Sequence, residues 1–317
     1  MDQDISFMRH ALALARRGLG QVAPNPSVGC VIVRDGRIVG RGWTQRGGRP
    51  HAEPVALAVA GDLARGATVY VSLEPCAHYG ESPPCTDALI AAGVAKVVYA
   101  LRDPDPRVDG AGHKRLSEAG IKVVSGVLEQ EAEDLNCGFL TRIRKQRPFV
   151  TLKLATSLDG KVALANGRSQ WITGPEARAV SHQIRASQDA ILTGIGTVFV
   201  DDPLLTCRLP GLSGRSPDRF ILDSGLRLTT DRAVVKTARD NPTIVITAVA
   251  TDDPKALRLS AAGVDVVGGM AVKDGRLDLD AVLALLAERG VTRLIVESGG
   301  ELASTFVREE RVDELVW

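Results

Sequence analysis

The first half of the chain alternates short apolar runs with stretches of helical period. "SVGCVIVRDGRIVGRGW" holds two β-rich runs around Asp35-Gly36, which predicts a hairpin. "MDQDISFMRHALALARRG" carries acids among its apolar positions and predicts an amphipathic helix, not a signal peptide. "PHAEPVALAVAGDLARG" predicts a helix closing at Gly66. "ATVYVSLEPC" predicts a buried strand, and "PPCTDALIAAG" a second helix with prolines before it and Gly93 after it. "AKVVYAL" and "IKVVSGV" predict further short buried strands. The order points to a mixed sheet sandwiched by helices.

The pattern breaks at 141–148, where "TRIRKQRP" is basic, lacks apolar periodicity and ends in proline. Strands are predicted again at "FVTLKLATSLDG", "DAILTGIGTV", "DRFILDS", "PTIVITA", "VDVVGG" and "RLIVESGG". Helices are expected at about 279–289 and after 301. We therefore expect two α/β domains, residues 1–147 and 148–317, a division that 317 residues accommodate.

Charge narrows the function classes. A net charge of +1 gives no bulk attraction to nucleic acid or to an anionic membrane. No apolar run approaches the roughly 20 residues that a spanning helix needs. The small-molecule classes remain. Five cysteines, an odd number scattered along a long chain, do not form a disulfide framework. They point to a reducing cytoplasm, where clustered Cys and His favour metal binding or catalysis.

His51, Glu53, Cys76 and Cys85 form that cluster. His51 opens a predicted helix as "HAE", Cys76 ends a predicted strand as "PC", and Cys85 opens another helix. Donors converging from three element ends suit zinc with one open position. A helix N-terminus also favours the thiolate that a metal needs. Glu53 stands close enough to move protons without ligating. This is the His-x-Glu, Pro-Cys and second-Cys order of a hydrolytic zinc deaminase. The competing reading is a buried histidine with two inert cysteines, but a chance arrangement in this order at element termini is much rarer. A redox pair is disfavoured because no Cys-x-x-Cys is present. Cys30, Cys137 and Cys207 stand alone and read as ordinary packing.

The second half has no G-x-G-x-x-G turn. "GIGTVFVDDP" puts glycines at the end of an apolar run, where a backbone must approach something closely. "VESGGELASTF" reads as a strand, a glycine pair and a helix start whose N–H groups can hold a phosphate, or else as a tight turn at a sheet edge.

Together "PNPSVGCVIV", "PHAE", "LEPCAHYGESPPC" and "DPDPRVDGAGHKRLSEAGI" closely resemble the bifunctional riboflavin-biosynthesis deaminase–reductase family. So do "LKLATSLDGKVA", "SQWITG", "RASQDAILTGIGTVFVDDPLLTCR", "LDSGLRL" and "VESGG". The resemblance implies a cytidine-deaminase-like α/β/α sandwich followed by a dihydrofolate-reductase-like α/β domain. It implies deamination of a phosphoribosylamino-pyrimidinone, then NADPH reduction of the ribosyl group to ribityl. The zinc ligands carry over to His51, Cys76 and Cys85, and the proton shuttle to Glu53. Asn25 matches a pocket asparagine, though "PNP" is also a turn. His78 either lines that pocket or caps its loop. Cofactor contacts carry over to Ala155, Trp171, Thr197, Asp201, Ser224, Gly299 and Gly300. Substrate contacts carry over to Lys153, Ser169, Arg185, Leu205, Arg208 and Glu297. Lys153 or Asp201 is the expected proton-transfer group of the reduction.

Two positions depart from the family. Thr44 stands where a histidine is usual, and Glu81 where a lysine or arginine suits a substrate phosphate. Arg46, Arg49 or Lys114 could supply that charge from nearby. The departures keep open a deaminase of the same fold acting on another, unphosphorylated heterocycle, with weak or lost reductase activity. A zinc-stabilised binding protein is the third reading, and Glu53 argues against it. Family chains run on beyond "VDELVW" with the last strands of the reductase sheet, and they form homodimers or larger homo-oligomers.

Overall fold

The computed structural model describes residues 2–80, 82–165 and 172–317. It divides into two compact units, Met1–Lys145 and Gln146–Trp317. In the first unit the order is α1 (Asp2–Ala15), β1 (Gly29–Arg34), β2 (Arg37–Trp43), α2 (Ala52–Ala60), β3 (Thr68–Leu73), α3 (Cys85–Ala91), β4 (Lys96–Leu101), α4 (Ala111–Glu118), β5 (Lys122–Ser125), α5 (Glu129–Leu135) and α6 (Cys137–Lys145).

The sheet order is β2-β1-β3-β4-β5. β1 runs antiparallel to both neighbours, while β3, β4 and β5 are parallel. The β1–β2 hairpin turns at Asp35 and Gly36, whose φ values of 50° and 73° supply the twist a two-residue turn requires. α1 is tied to the sheet through Asp4, which accepts bonds from Tyr70 Oη (2.5 Å) and Lys96 Nζ (3.0 Å). Met8, Leu12, Ile32, Val71, Leu89 and Val98 belong to one buried core. Each such side chain contributes about 1.5–3 kcal/mol by leaving water.

The stretch "TRIRKQRP" is mostly helical, contrary to its apparent lack of period. Phe139, Leu140 and Thr141 bury the face of α6, and Arg142, Arg144 and Lys145 complement the negative end of its dipole.

The second unit runs β6 (Phe149–Lys153), α7 (Pro175–Arg185), β7 (Ala190–Gly194), α8 (Ile195–Asp201), β8 (Asp218–Leu222), α9 (Ala233–Lys236), β9 (Thr243–Ile246), α10 (Pro254–Ala261), β10 (Asp265–Val267), β11 (Val272–Lys273), β12 (Arg276–Leu277), α11 (Leu279–Glu288), β13 (Arg293–Glu297), α12 (Gly300–Arg308) and β14 (Glu314–Val316). Its main sheet has the order β10-β9-β8-β7-β13-β6-β14, with parallel neighbours throughout. Alternate residues feed separate cores: Leu192, Phe220 and Leu294 enter one, Ile191, Ile221 and Ile295 the other. The run "GIGTV" does not extend its strand. β7 stops at Gly194, whose extended backbone caps α8.

β13 inserts between β7 and β6, so successive strands depart in opposite directions there. Open parallel sheets bind ligands at the carboxyl ends beside such a switch. At the amino end, Asp189 Oδ2 holds β13 by accepting from Thr292 N and Arg293 N, both at 2.8 Å. No helix among the described residues is long and apolar enough to cross a membrane.

Candidate active sites

In the first unit, three element ends meet. His51 caps α2, Cys85 is the first residue of α3, and Cys76 follows β3. Gly42 on β2 lets α2 sit this close, since a Cβ there would strike the Ala52 carbonyl in the helix's first turn. His51 Nδ1 lies 3.7 Å from Cys76 Sγ and 3.4 Å from Cys85 Sγ, and the three donor atoms fall within 4.8 Å of one another. Tetrahedral bonds of about 2.1 Å to nitrogen and 2.3 Å to sulfur set such donors about 3.6 Å apart. The donor set therefore fits a zinc ion.

Electrostatics agree. A hydrogen bond from the Cys85 thiol, another from His51 and one from the Cys85 backbone N–H (3.3 Å) bring Cys76 down to about 4, against the opposing effect of burial. Its thiolate is thus stable before any metal binds. Cys85 is held well above the ordinary thiol range, first by its bond to that thiolate and then by burial. Glu53 is 3% exposed, in the first turn of α2, and its carboxylate bonds Cys85. Burial, then the Cys76 thiolate, push it up. A buried carboxyl beside such a donor set is placed within reach of a proton-transfer role.

Asn25 Nδ2 donates to Gly48 O (3.2 Å), which fixes the amide's orientation. Thr44 is buried, and its hydroxyl accepts from Val28 N (3.0 Å) and donates to Pro26 O (3.2 Å). It braces the backbone that carries Asn25. The buried Nδ1 of His78 has no hydrogen-bond partner among the described residues. Glu81 lies outside the described residues.

Two acids beside this site were not singled out from sequence. Glu74 is buried and accepts from Gly110 N (3.1 Å) and His113 N (3.0 Å), which ties the start of α4 to the strand leading to Cys76. Asp103 is raised to about 7, mainly by burial and then by Asp105, Glu74 and Cys76. Its sequence signal is its place at the head of "DPDPRVDGAG", two residues after a buried strand.

In the second unit, Glu297 ends β13 and is bridged bidentately by Arg185, the last residue of α7. Nε–Oε1 is 2.6 Å and Nη2–Oε2 is 2.9 Å. Lys153, paired in register on β6, stands 3.7 Å from the same carboxylate. Burial opposes ionisation of Glu297, but Arg185 and Lys153 hold it below the ordinary range. Arg185 Nη1 also donates to Thr206 O (3.0 Å), and Arg208 Nη1 reaches Thr206 Oγ1 (3.4 Å). Leu205 between them is buried with φ 55°, a left-handed conformation that costs a branched side chain energy and marks a constrained loop. His182 was missed from sequence. Its Nδ1 accepts from Arg208 N (3.4 Å), and burial and the two arginines lower its pKa.

A cradle lies at the ends of β7 and β13. Cβ atoms added at Gly196, Gly299 or Gly300 would meet nothing within 4 Å, so their backbone faces open space. Gly299 N donates to Thr197 Oγ1 (3.3 Å), which joins α8 to the start of α12. The open backbone at the start of α12 leaves room for a phosphate at a helix N-terminus. Ala155 is half-buried after β6 and Asp201 ends α8, exposed. Ser224 follows β8, and its carbonyl accepts from Thr247 Oγ1 (3.1 Å). Ser169 and Trp171 lie outside the described residues.

Arg219 was also missed. This β8 side chain is wholly buried and donates to Leu204 O (3.0 Å), Val234 O (3.0 Å), Thr237 O (3.0 Å), Thr237 Oγ1 (2.8 Å) and Asn241 O (2.6 Å). Burial lowers it to about 10. It anchors the segment that leads into Leu205.

Comparison with known proteins places these features. Residues 1–101 match the cytidine and deoxycytidylate deaminase zinc-binding region, and residues 148–317 match the RibD C-terminal domain. Riboflavin biosynthesis protein RibD of Escherichia coli strain K12 is 44% identical over 325 residues, covering 99% of this chain and 86% of that protein. RibD of Acinetobacter baumannii, form 1, superposes with a TM-score of 0.89 at 40% identity, covering 99% of this chain and 85% of that one. A diaminohydroxyphosphoribosylaminopyrimidine deaminase/5-amino-6-(5-phosphoribosylamino)uracil reductase from Thermotoga maritima superposes with a TM-score of 0.86 at 39% identity and the same coverage. The seven-stranded unit carries the C-terminal domain of these relatives and the five-stranded unit their deaminase fold, so the chain belongs to the RibD family of riboflavin biosynthesis proteins.

Proposed function

We propose that this chain is the bifunctional deaminase–reductase of riboflavin biosynthesis. It hydrolytically deaminates 2,5-diamino-6-ribosylamino-4(3H)-pyrimidinone 5′-phosphate, releasing ammonia. It then reduces the ribosyl side chain of that product to ribityl with NADPH. The observation that carries this reading is the His51–Cys76–Cys85 donor set with buried Glu53, in a chain whose other unit has the RibD C-terminal fold.

His51, Cys76 and Cys85 would hold zinc, which would supply Lewis-acid activation of the attacking water. Glu53 takes a proton from the attacking water and hands it to the departing amine. Asn25 orients the pyrimidine edge with its amide, and His78 donates from the loop wall. In the reductase, Gly299, Gly300 and Thr197 bind NADPH, with Ala155, Trp171, Asp201 and Ser224 along its length. Bound NADPH supplies the hydride. Arg185 and Arg208 hold the substrate phosphate, with Ser169 and Leu205 beside it. Glu297 orients Arg185, and Lys153 or Asp201 moves the proton. The reading extends to a homodimer or larger homo-oligomer, which light scattering tests. It also extends to the cytoplasm, which cell fractionation tests.

An assay with the pyrimidine substrate and NADPH, following ammonia and NADPH separately, tests both halves. We expect ammonia first, then NADPH oxidation dependent on it. Ammonia release without any NADPH oxidation would reject the reductase assignment.

A further inference from the structure

Cys76 is pinned on the side of α3. Its Sγ accepts from Cys85 N (3.3 Å), and its carbonyl accepts from Thr86 N and Thr86 Oγ1, both at 3.2 Å. On the opposite side the chain just before it is held by α4. Glu74 N donates to Leu101 O (2.8 Å), which carries the β3–β4 pairing past the end of β3. The Glu74 side chain then turns to the start of α4, where Oε2 accepts from Gly110 N (3.1 Å) and Oε1 from His113 N (3.0 Å). N–H groups at a helix start have no partner within the helix, and a carboxylate there also meets the positive end of the dipole. Glu74 is 3% exposed, and its side-chain partners among the described residues are these two backbone groups. A carboxylate that leaves water for two backbone donors is costly to bury.

Gly112 brings the helix closer still. A Cβ there would lie 2.1 Å from Pro75 O and 3.1 Å from Glu74 Oε1. Clearance, not backbone conformation, is what glycine supplies here, since Gly112 lies within α4. The first turn of α4 therefore rests against the peptide that joins Pro75 to Cys76.

We propose that Glu74 and Gly112 are positioning residues for Cys76, so that the head of α4 sets where one metal-binding sulfur stands. The assignment rests on the deaminase reading above.

The test uses the full zinc-loaded chain. Zinc release to a colorimetric chelator is followed beside deamination, and the cobalt-substituted protein is read by its sulfur-to-metal charge-transfer bands. Glu74→Gln turns an amide N–H against one of the backbone donors. It should change zinc release by about 10- to 100-fold, towards faster loss, the usual effect of removing a group that orients a metal ligand. It should lower kcat for deamination more than it changes KM. Gly112→Ala pushes on Pro75 O from the same side and should act in the same direction. Both should shift the cobalt bands, while reduction of the supplied deaminated intermediate stays as in the wild type. Asp4→Asn is the control, because it takes a carboxylate from Tyr70 and Lys96 on the same two strands. It should lower the melting temperature without moving zinc release or the cobalt bands.

A Glu74→Gln protein that melts lower yet keeps wild-type zinc release, kcat and cobalt bands would overturn the assignment and leave Glu74 to the fold alone. If that variant does not fold, Gly112→Ala decides by the same readings, and wild-type values reject the proposal. Zinc loss in Asp4→Asn as fast as in Glu74→Gln would reduce the effect to general loosening and reject it too. A wild-type chain that binds no zinc would instead overturn the deaminase reading itself.

Discussion

The two sites treat buried charge in opposite ways. In the first unit, the Cys76 thiolate and Glu53 surround the His51 imidazole, and burial, followed by neighbouring negative charge, pushes Glu53 and Asp103 up. In the second, Glu297 is already neutralised by Arg185 and Lys153, with Arg208 adding further positive charge. The first site is built to receive a cation and is electrostatically incomplete without one. The second is already paired, with the Arg208 guanidinium close by at Thr206.

If that contrast holds, removing the cation or its proton shuttle should cost one activity alone. Glu53→Gln should retain zinc and lower deamination about 10²–10⁴-fold, the usual range for a lost general acid–base group. Reduction of the supplied deaminated intermediate should be unaffected. Metal analysis beside the two assays checks this, and a parallel loss of both activities would dissolve the distinction between the sites.

The second site should fail through stability as well as rate. Glu297→Gln leaves Arg185 buried without its charge partner, which should cost about 3–5 kcal/mol. The sign with pH follows from the lowered Glu297. A carboxyl held below its unfolded value of 4.5 stabilises fully above that pH, and the contribution is lost as pH falls through the folded value. Acid unfolding of the variant's reductase unit should therefore be flatter below about pH 4.5. Denaturant melts across pH measure it, and an unchanged acid slope would show that the pair is not what holds the site.

How much of this was legible in the sequence follows the same divide. Cys and His are scarce here, and "PHAE" and "PPC" put them at element ends, so the donor set could be read before the fold was known. The Asp35–Gly36 turn was equally plain. The reductase residues are common types gathered from strand ends over a hundred positions apart, as Arg185 and Glu297 are, and only family resemblance pointed to them. α8 was hidden inside an apolar run without period, and the helical character of 137–145 depended on Phe139 and Leu140 finding a core. Glu74 and Arg219 were invisible because their partners, Thr237 Oγ1 apart, are backbone groups, which no side-chain pattern records.

Arg219 gives the mildest and most discriminating test of the second site's self-sufficiency. It touches no proposed ligand contact, yet its bond to Leu204 O holds the chain just before left-handed Leu205. Lysine keeps the charge but lacks the fork, so it cannot reach Leu204, Val234, Thr237 and Asn241 together. Arg219→Lys should lose about 1–3 kcal/mol in thermal unfolding. It should also raise the reductase KM for the phosphorylated substrate several-fold while leaving kcat close to wild type, because the loop that presents Arg208 loosens but the reacting groups stay put. Stability loss with an unchanged KM would confine Arg219 to the core. A change in both would mean that the anion site is made by the buried scaffold beneath its arginines, and not by the arginines alone.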